Sequence, residues 1–178
     1  MSVRFWVRSL LSLGAVIFLP IVIVHYGFSL SKDHDRSIET YKLSKSIKEK
    51  IRNDTDGMDY KEIIQYSMER TKEQLAFAKN NDIPRGKANC IGYAQMGASI
   101  CNYAMASNGM GYRAKPVVGY VNLFGINLCA IATKIAPIGL ANFVKDHDFV
   151  EISVEGKTIY FGPCLYDFLI DCTTSVTK

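Results

Sequence analysis

The sequence predicts an α+β fold, with helices first and an antiparallel sheet after them, preceded by an N-terminal transmembrane helix. Three observations carry this reading. Residues 9–31 contain no Asp, Glu, Lys or Arg. Residues 36–107 repeat apolar side chains at helical spacing. From residue 112 the chain changes to Val- and Tyr-rich runs and a Glu155-Gly156 turn, the pattern of strands and a hairpin.

The uncharged segment is the first element. About 20 apolar residues cross a bilayer as a helix, and residues 9–31 are long enough. Arg4, Arg8 and the small-residue site Gly27-Phe28-Ser29 also suit a cleaved signal peptide. The apolar run exceeds the usual length for such a peptide, which favours an anchor. Both readings place the rest of the chain outside the cytoplasm, in the periplasm or the extracellular space. It is secreted if the segment is cleaved. Residues 1–31 are assigned to the signal anchor or signal peptide, 32–58 to a stalk helix and linker, and 59–178 to the folded domain.

The stalk helix is expected over about 36–52, with Leu43, Ile47 and Ile51 on one stripe. Its lysines suit a solvated surface, or contact with anionic headgroups. Asn53, Asp54, Asp56 and Gly57 end it. Asn53-Asp54-Thr55 also fits a glycosylation acceptor. The net charge is +4, of which Arg4 and Arg8 account for two. The remainder lacks the clustered basic face that nucleic acid requires.

Asp59 followed by Glu62 marks the next helix start, a capping pair. Ile63, Ile64, Met68 and Leu75 carry its apolar face to about Lys79. Asn, Pro and Gly make 80–87 a loop. The uncharged run CIGYAQMGASICNYAMAS (90–107) predicts a helix buried on most sides, with Gly92, Ala94, Gly97 and Ala98 leaving room for close neighbours. Gly109 supplies its C-terminal cap. Residues 112–125 read as a strand. Residues 126–146 read as its continuation plus a covering loop or short helix, with Lys134 and Pro137 arguing against a second span. Residues 147–162 read as the hairpin.

The chain has five cysteines and three histidines. An odd number leaves at least one thiol free or paired with another chain. No CxxC occurs and histidine is scarce, so zinc has no support. Cys101 lies about three helical turns beyond Cys90, too far for a disulfide, and reads as core. Cys164 and Cys172 could pair across the short terminal segment.

Cys90 opens the buried helix. There the helix dipole and the free N–H groups would stabilise a thiolate. A nucleophilic cysteine needs a base. His25 falls in the apolar segment and His34 in the stalk, so His147, at a strand start, is the candidate. Taken singly, a cysteine at such a place is more often packing, and a lone histidine more often structural.

Taken in order, NCIGYAQMGASIC, GYRAKPVVGYV and DHDFVEISVEGKTIYFGP resemble the transglutaminase-like domain, a branch of the papain-like cysteine enzymes. The resemblance covers about residues 60–170. It implies a papain-like core, Cys90 as nucleophile and His147 as general base and then acid. It also implies a peptide or protein substrate, with hydrolysis or acyl transfer at peptide or side-chain amides, and no metal or organic cofactor. The family's third residue is an Asp just before Pro, and here Gly162 holds that place. Asp167, past the strand end, is the candidate substitute, and it is equally an ordinary loop acid. Asp148 should point to the face opposite His147. The second reading of the whole is a catalytically inactive domain of this type that binds a peptide or protein.

Overall fold

The computed structural model describes residues 27–37, 40–128, 130 and 146–177. These residues form an α+β domain built on one curled antiparallel sheet. Strand β1 (Phe28–Asp35) comes first, then helices α1 (Lys45–Asp54) and α2 (Tyr60–Gln74). A small parallel pair, β2 (Ala76–Phe77) and β3 (Lys87–Ala88), leads into α3 (Cys90–Ser107). Strands β4 (Ala114–Leu123), β5 (Ile126–Asn127), β6 (His147–Val154) and β7 (Lys157–Phe161) follow. Helix α4 (Pro163–Asp167) and β8 (Thr173–Thr177) end the described chain. The sheet order is β1-β4-β6-β7-β8, with β5 on the end of β4. Its two outer strands meet, because the Leu30 N–H donates to Thr174 Oγ1 at 2.9 Å. The sheet is thus a half-barrel.

Two expectations are corrected here. The sheet begins before the helices, so the arrangement of a transmembrane helix, then helices, then sheet is not the one observed. Phe28, Ser29, Leu30 and Ser31, read as the end of the apolar span, pair with Leu123, Asn122, Val121 and Tyr120 of β4. The physical reason is spacing: Phe28 and Leu30, two residues apart, both meet the second core, a strand placement masked by the apolar run before them. Among the described residues no helix is long and apolar enough to cross a membrane. Residues 1–26, which hold most of the expected span, lie outside the described residues. The supposed stalk is also part of the domain. Its helix starts at Lys45, behind the Ser44 cap, and buries Ile51 completely.

Helix α2 starts as the sequence indicates. The Asp59 carboxylate accepts from the Lys61 and Glu62 N–H groups, and Glu62 accepts from the Asp59 N–H at 2.8 Å. Helix α3 is the centre of the helical layer and buries Tyr93, Ile100 and Met105 completely. Its small residues allow close approach. A Cβ on Gly97 would lie 2.6 Å from Pro163 of α4, and one on Gly92 would lie 2.6 Å from the Ala88 side chain. The hairpin turns at Glu155 and Gly156, both at positive φ (51° and 77°), as a two-residue turn between twisted strands requires.

Two cores lie on the two faces of the sheet. The helix-side core joins Ile51, Ile63, Met68, Tyr93 and Ile100 to Val150, Ile152 and Val154 of β6. The other core holds Leu30, Val117, Val121, Phe149, Leu165 and Cys172. The even-numbered residues of β6 therefore face the helices and the odd-numbered ones face away.

Candidate active site

Cys90 is the first residue of α3. The Asn89 side chain caps the helix by accepting from the Ile91 N–H at 3.0 Å. The thiol is half-buried and donates to Asp148 Oδ2 at 3.7 Å. Asp148 is 1 % exposed. Arg36, just past β1, balances its charge with Nε 2.5 Å from Oδ1 and Nη2 donating to Oδ2 at 3.1 Å. The site is therefore a thiol, a buried carboxylate and a guanidinium in series.

The electrostatics follow from this burial. Desolvation pushes the Cys90 thiol above its ordinary value, and the Asp148 charge adds to the rise. The Asp148 and Ile91 backbone N–H groups oppose it, but do not reverse it. The expectation of a thiolate favoured by the helix start is thus corrected: loss of solvent outweighs the helix start. Desolvation also pushes the Asp148 carboxyl up, against the pull of Arg36.

His147 is not brought to Cys90. The β4–β6 register runs without a break from Ala114↔Ile152 to Gly119↔His147. His147 therefore shares the face of Phe149, and Asp148 shares the helix-side face of Val150. His147 is completely buried, and desolvation lowers its pKa to about 4, so the ring is neutral at pH 7. The other described histidine, His34, belongs to β1, where its exposed ring lies 2.9 Å from Asp33.

Asp167 does not serve His147 either. It ends α4 and accepts a hydrogen bond from the Tyr93 hydroxyl at 2.6 Å. Gly162, which the resemblance aligns with an acidic position, is the residue before α4, with Pro163 starting that helix. A Cβ there would lie 3.3 Å from Leu165 Cδ1. Cys164 is buried, and its thiol is pushed up by burial and by the nearby Cys90, Asp167 and Asp148 charges. Cys90, Cys101, Cys164 and Cys172 form no disulfide, and Cys164 and Cys172 belong to different cores. Among the described residues, no three His, Cys, Asp or Glu side chains converge as metal ligands would.

The sequence reading missed Arg36 and set Asp148 aside. One signal was available. Val150, Ile152 and Val154 are spaced two apart, and extending that series backward reaches Asp148, not His147. Arg36 carried no comparable signal, since its partner is 112 residues away. In comparisons with family models, with curated proteins and with solved structures, the chain finds no match.

Proposed function

We propose that this domain binds a peptide or protein segment and does not work by acyl transfer to Cys90. One observation carries the reading: the half-buried thiol meets a carboxylate locked to Arg36, while the nearby imidazole lies across the sheet. A thiol acts as a nucleophile through its thiolate, and a base must take its proton. Asp148 is a poor base here, because a carboxylate is far less basic than a thiolate and Arg36 pairs with its charge. The ordered motifs that resemble transglutaminase-like domains are present, but alternation along β6 turns His147 to the face opposite the one where Asp148 meets Cys90.

Turnover and binding measured together on one broad peptide library test this. The wild-type chain and Cys90→Ala are expected to bind the same peptides and to show equal, background cleavage and transamidation. Turnover that disappears in Cys90→Ala would overturn the proposal in favour of a cysteine hydrolase or acyltransferase.

A further inference from the structure

A cleft of about 410 Å3 lies between α2 and strands β7 and β8, away from Cys90. Its walls follow from register and pitch. Lys157 and Ile159 alternate onto the helix-side face of β7. Ser175 pairs with Ile159 and Thr173 with Phe161, which adds two hydroxyls to the same face. On α2, Ile64 and Met68 stand one turn apart.

The floor is apolar and well packed: Ile64, Met68 and Ile159 are all under 10 % exposed. The rim is cationic. Lys61 and Lys157 are both exposed, and neither makes an ion pair among the described residues. Among the described residues no acidic side chain lines the cleft. Such a site suits an apolar group joined to a carboxylate, since the floor removes alkyl surface from water and the lysines meet the charge.

The extent of the surface distinguishes a chain from a small molecule. Gln65 lines the cleft and also two flanking hollows. One, of about 420 Å3, includes Met58 and Tyr66, and the other, of about 380 Å3, includes Lys72 and Leu169. Acids border both flanking hollows, Glu62 and Glu69 in one and Asp171 in the other. Lys61 also lines the hollow that Glu62 and Glu69 border, whereas of these three hollows Lys157 lines the central cleft alone, so a carboxylate should sit on the Lys157 side of the rim. We infer that this cleft binds an extended peptide, with an aliphatic side chain on the Ile64–Met68–Ile159 floor and an adjacent carboxylate at the Lys61–Lys157 rim. The inference rests on the binding reading above and gives it a place and a partner chemistry.

The test uses the full chain and two fluorescein-labelled octapeptides, one alternating glutamate with leucine and one alternating lysine with leucine. Fluorescence anisotropy should show the glutamate peptide binding at least about tenfold more tightly, with a preference that shrinks as salt is raised. Lys61→Glu with Lys157→Glu should weaken it at least about tenfold, since two attractions become repulsions. Lys45→Glu with Lys87→Glu changes net charge equally, on exposed lysines outside the cleft, and should leave binding unchanged. Circular dichroism confirms that both variants are folded. Equal binding of the two peptides, or indifference to the Lys61 and Lys157 reversals, would overturn the inference. Octanoate binding as tightly as the glutamate peptide would overturn it too, in favour of a small-molecule site. Turnover that requires Cys90 would instead sink the binding reading itself, whatever the charge reversals do.

Discussion

Two adjacent residues on β6 have opposite surroundings. Asp148 looks toward the helices, where it meets a thiol and an arginine. His147 looks away, on the face of the second core, with its neutral form enforced by burial. Both are almost fully buried. One is a compensated charge and the other is a group kept from being charged. The comparison teaches that which ionisable groups meet a thiol is decided by the pleat of the strand. Nearness in sequence to a recognisable histidine does not decide it.

The largest expected effect comes from the His147 side. Its folded pKa of about 4 lies below the ordinary 6.5, so its contribution is present above pH 6.5 and lost as pH falls through 4. The loss should be roughly 3 kcal/mol between pH 7 and pH 4. Urea unfolding of the wild-type chain and His147→Gln at both pH values measures it. The variant should lose correspondingly less stability on acidification. Equal acid sensitivity would mean that His147 is solvated or already charged in the fold.

The Asp148 side responds to loss of its partner. Arg36→Met leaves a carboxylate buried without its counter-ion. Breaking a fully buried pair costs about 3–5 kcal/mol. Arg36 is 29 % exposed, so solvent reduces this to about 2 kcal/mol at pH 7. Asp148 can escape by binding a proton, and its folded pKa is already raised. The penalty in the variant should therefore be present above that raised pKa and should fade as pH drops through it. This is the reverse of the His147 trend. Denaturation of Arg36→Met at pH 7 and pH 5 checks both the size and the sign.

These two residues also show what the sequence could and could not reveal. Local signals were legible. The Asp59–Glu62 capping pair starts α2 one residue later, the uncharged run 90–107 is α3 to the residue, and Glu155-Gly156 turns the hairpin. Each rests on contacts within a few residues. The sheet's first strand was not legible, because Phe28 and Leu30 continue an apolar run that conceals their spacing. The facing of His147 and Asp148 was legible only by carrying the Val150, Ile152, Val154 series backward, because His147, Asp148, Phe149 and Val150 are all buried and no alternation marks a face at that end of β6 itself. The Arg36 contact spans the length of the domain, and Asp167 satisfies Tyr93 only because α4 folds back behind α3.

A smaller effect tests whether the carboxylate governs the thiol. The Asp148 charge is among the causes that raise the Cys90 pKa. Asp148→Asn should therefore speed Cys90 alkylation at pH 7 by about threefold. An unchanged or slower rate would mean that burial alone sets the thiol's reactivity.

The most direct measurement is the pH dependence of Cys90 alkylation in the native wild-type chain, read by peptide mapping after brief iodoacetamide treatment. A thiol facing a carboxylate, raised above its ordinary value of 9.0, should react more slowly at pH 7 than free cysteine. Its rate should still be rising at pH 9. A rate that reaches its plateau by about pH 7 is the signature of a thiolate held by an imidazolium, and would contradict the placement of Asp148, in place of His147, against Cys90.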